Sequence, residues 1–223
     1  YYAKRTGGNR IYLSSRILSE PVPEAGINAR GSGLSAVYAL AAAVDAKDPY
    51  TYDHSRKVNT YAVALAEAID LPPDEVSKIS TAALLHDIGK IGISDKILNR
   101  KGKLSAEDWE VIKSHPRLGA NIVGNVPGLV SCLPAILHHH ERYDGTGYPE
   151  GLRGEQIPLE ARILAIADAF AAMTSARPYR VAFCYEKVVK ELRQGAGTQF
   201  DPELVEAFIA LIDAGLPEKA KAH

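Results

Sequence analysis

The chain has only two cysteines, Cys132 and Cys184, in 223 residues. Both fall in helix-like sequence, and they read as buried free thiols of a reducing cytoplasm rather than as a disulfide. Neither sign of charge is in excess: 26 basic side chains nearly cancel 27 acidic ones, leaving a net charge of −1. That balance speaks against broad electrostatic binding to a DNA or RNA polymer and leaves room for a local basic pocket only. No run is long and apolar enough to span a membrane, and no signal peptide is visible, so the expected location is cytoplasmic. Alternating strands of useful length, internal repeats and low-complexity tracts are also missing. The chain opens YYAK without a methionine and reads as a piece of something longer.

What is present is helical spacing. From about residue 34 onward apolar residues recur at three and four, with content enough for one sizeable domain and an appendage. Val58, Tyr61 or Ala62, Leu65 and Ile69 share one face, with His54 a turn ahead. Val76, Ile79, Ala83 and Asp87 share another after an acidic start at Asp74. Ser105 with Asp108 predicts a cap for the helix leading to His115, and Pro116 opens another. Val130, Leu133, Leu137 and His140 predict a further helix. Asp201-Pro202 predicts a cap and first helical position, and Gly215 a stop. The expected fold is an all-α bundle with a helical C-terminal extension and a short non-helical N-terminal segment. Residues 144–158, DGTGYPEGLRGEQIP, predict a loop, and residues 19–33 a linker.

Six of the seven histidines lie between positions 54 and 140: His54, His86, His115, His138, His139 and His140. Asp87 follows His86 directly, and Asp168 sits in the apolar run RILAIADAFAAM. An unpaired charge mid-helix in such a run would cost several kcal/mol, roughly, and a metal ion removes that penalty. Neighbours on a helix differ by about 100°, so His86 with Asp87, and His139 with His140, can lean toward one site between helices. A centre built this way can make hydroxide from water near neutral pH and hold an anionic substrate. Any one of these histidines could be a hydrogen-bonded core residue, and together they could form a pH switch. The switch leaves both aspartates unexplained. His138 is expected outside the ligand set.

HDIGK at 86–90, HHERYDGTGYPEGLRGEQIP at 139–158, RILAIADAF, RPYR at 177–180 and GTQFDPELVEAF at 197–208 resemble the HD-GYP domain. This is a branch of the HD superfamily of metal-dependent phosphohydrolases, and the likeness covers roughly residues 40–215. It implies hydrolysis of cyclic di-GMP to pGpG, continuing in some members to GMP, by a hydroxide bridging two divalent metals and attacking phosphorus in line. His54, His86, Asp87 and Asp168 would hold one metal. Asp87 would bridge to a second, completed by His115, His139 and His140. Iron or manganese is favoured, and the donor set also accepts zinc, nickel or cobalt. Asp87 and Lys90 would be catalytic, Lys90 as the cation beside the scissile phosphate. Gly147 and Tyr148, in the GYP segment, would approach the substrate, or simply form a turn. Arg177 and Arg180 would grip phosphate oxygens, or stand as a solvated surface pair.

Two positions depart from the family pattern. Tyr50 stands where some members have a glutamate that supplies a third metal, so two metals are expected. Ala171 stands where many members have a second aspartate, which removes some support for the ligands. The opening YYAKRTGGNRIYL resembles the closing segment of a GGDEF domain, with Gly8 in place of the usual arginine. The implied organisation is a GGDEF-like end at 1–18, the linker at 19–33, the HD-GYP domain at 34–216 and a tail at 217–223. A GGDEF domain, in this or another chain, is an implied partner. The competing readings are a degenerate domain that binds the nucleotide or a partner without hydrolysis, and an HD phosphohydrolase acting on another nucleotide.

Overall fold

The computed structural model describes residues 35, 38–44, 54–100, 102–175 and 182–215, all within one compact unit, Gly33–His223. The expected GGDEF-like end, linker and C-terminal tail lie outside the described residues, as do Tyr50, Arg177 and Arg180. The described part of helix α1 is residues 38–44. It is followed by α2 (His54–Ala68), α3 (Pro73–Leu85), a 3-10 turn (Ile88–Gly92), α4 (Asp95–Leu98), α5 (Ala106–Lys113) and α6 (His115–Gly124). A second 3-10 turn (Pro127–Cys132) leads to α7 (Leu133–His138), and then come α8 (Leu159–Thr174), α9 (Tyr185–Gly195) and α10 (Pro202–Asp213). Among the described residues there is no strand, only an isolated bridge between Ala196 and Phe200. The all-α expectation holds.

The helices start and stop where local chemistry directs. Ser105 and Asp108 form a reciprocal capping box at the start of α5, each side chain accepting from the other residue's backbone N–H at 3.1 and 3.0 Å. Asp201 caps α10 by accepting from the amides of Glu203 and Leu204, with Pro202 in the first turn. Gly215, at φ 80°, follows the end of that helix. Val58, Ala62 and Leu65 are fully buried along one face of α2, which packs between α3 and α8. Phe208 of α10 closes the core against Tyr61 and Phe170, their rings meeting edge to face.

Three expectations are corrected. The helix expected from Val130 through His140 begins only at Leu133 and stops at His138, and Val130 lies exposed in the preceding turn. Pro134 explains the late start, because a helix begun at Val130 would place its ring against the carbonyl four residues back. His139 and His140 therefore follow the helix rather than lying on it. Similarly, Asp87 leaves the face shared by Ile79 and Ala83: α3 ends at Leu85, and Asp87 has φ −96° and ψ 3°. Cys184 is exposed on an extended residue just before α9, whereas Cys132 is buried as expected.

Candidate metal centre

The seven expected ligands come from five helices, three of which contribute an end. His54 is the first described residue of α2, His86 and Asp87 follow α3, His115 opens α6, His139 and His140 follow α7, and Asp168 sits within α8. Their donor atoms form two groups. Those of His54, His86 and Asp87 lie within 4.8 Å of one another, and so do those of His115, His139 and His140. Asp168 Oδ1 joins the first group through His54 Nε2 at 2.9 Å. His138 stays outside, its Nδ1 turned to Glu141 Oε1 at 3.7 Å.

Three of the rings are aimed by the end of the helix that precedes them. Nδ1 of His86, His115 and His139 lies 2.8, 2.7 and 2.8 Å from the carbonyl three residues earlier, of Ala83, Ile112 and Ile136 respectively. A carbonyl can only accept, so each Nδ1 carries the hydrogen, and in the neutral ring Nε2 keeps its lone pair. Those lone pairs converge. His86 Nε2 is buried without a hydrogen-bond partner, and His115 Nε2 faces His139 Nε2 at 3.3 Å. Two acceptors at that distance repel unless a cation or a proton lies between them. Buried lone pairs, imidazole donors and nearby carboxylates are what a divalent transition metal requires.

Asp87 stands between the groups and divides its oxygens. Oδ2 faces His86 Nε2 at 3.4 Å and accepts from Lys90 Nζ at 2.5 Å, while Oδ1 faces His115 Nε2 at 3.3 Å. Burial alone would push its carboxyl up, but the Lys90 ammonium, foremost among its neighbours, holds it well below the usual carboxylate range. Asp168 behaves alike, its burial outweighed by the hydrogen bond from His54 and the imidazoles around it. Burial lowers His86, lowers His139 further with help from neighbouring imidazoles, and brings His140 down to about 4. Burial also works to lower His54, but its bond to Asp168 and the two carboxylate charges raise it instead. The carboxylates are thus ionised and most of the rings neutral at pH 7, the forms that bind metal.

Gly89 brings Asp87 to His115. A Cβ on Gly89 would lie 1.9 Å from the His115 carbonyl oxygen and 2.5 Å from the Gly119 nitrogen, so the turn after the HD pair packs directly on the start of α6. The GYP segment crosses the other side of the centre. The Tyr148 ring lies 4.9 Å from that of His140, inclined by 34°, and the Tyr148 amide donates to the His140 carbonyl at 3.2 Å. Burial, with the negative charge of Asp87 and Asp168, keeps the Tyr148 hydroxyl protonated far above its ordinary range. The absent side chain of Gly147 serves a close crossing of the chain's own backbone: a Cβ there would meet the Arg142 nitrogen at 2.2 Å. Ala171 is fully buried in the apolar core.

Sequence reasoning passed over Gly89 and Glu141. Glu141, in the quoted HHE, is buried, and its carboxylate accepts from the amides of Glu150 and Leu152 at 2.7 and 3.1 Å. A glutamate directly beside two expected ligands was the only available signal.

Comparison with known proteins places these features in a family. A family model described as HD domain matches residues 39–204. The cyclic di-GMP phosphodiesterase response regulator RpfG of Xanthomonas campestris is 42% identical over 172 residues, which is 76% of this chain and 46% of that protein. The 3'3'-cGAMP-specific phosphodiesterase 3 of Vibrio cholerae is 34% identical over 196 residues, 87% of this chain and 43% of that one. Among solved structures, a cyclic GMP-AMP-specific phosphodiesterase of Vibrio cholerae (V-cGAP3) superposes with a TM-score of 0.64 at 21% identity, covering 82% of this chain and 49% of that chain. The chain thus spans less than half the length of these curated relatives.

Proposed function

The chain belongs to the HD-domain family, a metal-dependent family, and from that premise we propose that it is the HD-GYP form of the domain and opens cyclic di-GMP to linear pGpG, with GMP as a further product. The carrying observation is Asp87, whose two oxygens face the two donor groups separately. His54, His86, Asp87 and Asp168 would hold one divalent ion, and His115, His139 and His140, sharing Asp87, a second. Iron or manganese is favoured, with zinc, nickel and cobalt compatible with the same donors. When bound, such ions supply Lewis acidity, lowering the pKa of water and neutralising charge on phosphoryl oxygens.

The chain's own groups do the rest. The Nδ1–H bonds to backbone carbonyls hold three rings in register. Lys90 places an ammonium beside Asp87, where it can pair with a phosphoryl oxygen of the substrate. Tyr148, kept protonated, offers a hydrogen-bond donor and an aromatic face next to His140. Gly147 contributes by letting the loop cross closely. Arg177 and Arg180, outside the described residues, are assigned to phosphate oxygens from the RPYR motif. A GGDEF domain in the same or another chain is the proposed partner, on the strength of the N-terminal sequence. No helix among the described residues is long and apolar enough to cross a membrane, which fits the proposed cytoplasmic location.

The relative named as 3'3'-cGAMP-specific supports a second reading, in which that dinucleotide is preferred. Protein reconstituted separately with iron, manganese, nickel and zinc, incubated with each cyclic dinucleotide and resolved for products, decides among them. Formation of pGpG with kcat/KM highest for cyclic di-GMP is expected. A higher kcat/KM for 3'3'-cGAMP establishes the second reading. Binding without product under every metal makes the domain a signalling module.

A further inference from the structure

Glu141 is ionisable, its side chain is fully buried, and no role in binding metal or substrate has been given to it. A buried carboxylate is costly unless its oxygens are hydrogen-bonded. Here Oε1 accepts from the Glu150 amide at 2.7 Å and Oε2 from the Leu152 amide at 3.1 Å. These amides lie just past Tyr148, and charge-assisted bonds of this kind are stronger than neutral ones.

The same short stretch is fixed from other sides. The Tyr148 amide reaches back to the His140 carbonyl at 3.2 Å, and the Asp144 amide to the Thr198 carbonyl at 2.8 Å. Arg117, two residues past His115 in α6, donates to the Pro149 carbonyl at 3.3 Å and pairs with Glu150 Oε1 at 2.7 Å. Gly147 packs against the backbone of Glu141 and Arg142. The segment is therefore tied down over the second donor group, and the tie nearest Tyr148 in the interior is the Glu141 carboxylate.

We propose that Glu141 is a positioning residue of the site: its carboxylate fixes the GYP segment so that the Tyr148 ring and hydroxyl stand over His140, where the substrate is received. This rests on the reading of Tyr148 as a substrate contact. It makes the GYP segment a prebuilt wall whose placement is set by the residue next to a ligand.

The test compares Glu141→Gln with wild type in the metal-loaded chain. An amide has one acceptor oxygen, so one of the two backbone bonds is lost while the shape is kept. Hydrogen exchange at the Glu150 and Leu152 amides should quicken, with helix amides unchanged. For cyclic di-GMP, kcat/KM should fall roughly tenfold, as for loss of one hydrogen bond to a charged group. That fall should vanish in the Tyr148→Ala background, where nothing remains to be positioned. A merely structural role would give the same fall in both backgrounds, which overturns the proposal, as does unchanged exchange at the two amides. If wild type turns over no cyclic dinucleotide, the functional reading fails, and the same cycle run on the dissociation constant of cyclic di-GMP still judges Glu141. Should Glu141→Gln not fold, Glu141→Asp, which withdraws the carboxylate by one methylene, takes its place with the same outcomes.

Discussion

Lys90 Nζ lies 2.5 Å from Asp87 Oδ2, on the same oxygen that faces His86. The lysine three residues past Asp87 thus helps to keep that aspartate ionised and, in the proposed reaction, would stand beside the phosphate. These two effects separate experimentally. Lys90→Ala should retain its metal, because every donor of the two groups is still present, and should lose about 10²-fold in kcat, as when a preorganised charge donor is removed from a reacting centre. Elemental analysis beside steady-state rates reads both, and loss of metal equal to that in Asp87→Ala would remove the catalytic assignment.

Asp87 itself should behave differently from any single histidine. Because its oxygens face both donor groups, Asp87→Ala should retain less metal than His139→Ala, which empties one group alone. Full metal occupancy in Asp87→Ala would sink the bridging role.

Acid should destabilise the metal-free protein before its carboxylates titrate. His140 is held down to about 4 when folded, against 6.5 for an ordinary histidine. The unfolded chain therefore takes up this proton at higher pH than the folded one. The contribution is fully present above 6.5 and is lost as pH falls toward 4, on the order of 3 kcal/mol for this ring. Thermal unfolding of chelator-treated protein should show a lower midpoint at pH 4.5 than at pH 7.5. His140→Ala should flatten part of that slope, and a variant with an unchanged slope contradicts the assignment.

Gly89→Ala should damage the centre without replacing a ligand. Its Cβ would sit 1.9 Å from the His115 carbonyl oxygen, and backbone cannot yield as a flexible side chain does. A loss of about 1–3 kcal/mol of stability is expected from overpacking, together with weaker metal retention because Asp87 and His115 are forced apart. Denaturant unfolding and metal titration measure the two, and wild-type values in both would show that the close packing is dispensable.

Much of this was legible from spacing, and the reasons are local. Ser105 with Asp108 and Asp201 with Pro202 act through bonds within a few residues, so their caps form as read. His54, His86, His115 and Asp168 stood out because polar ligand types were set against apolar helical repeats. What escaped depends on contacts between distant segments. Gly89 matters only because α6 lies on it, and Glu141 only because a loop nine residues later folds back onto it. Val130 shows the opposite failure, where apolar spacing continued through Pro134 although the helix could not. Cys184 misled for a similar reason, since a cysteine in apolar surroundings reads as core whether or not its segment turns outward.

The bonds from His86, His115 and His139 to the carbonyls three residues before them carry a consequence for assembly. Each ring takes its bearing from its own stretch of chain. Their orientation thus depends on bonds within four residues of chain rather than on contacts between helices. A chain that has folded in the absence of metal already holds its donors aimed, so loading should proceed at the pace of ion entry with no refolding step.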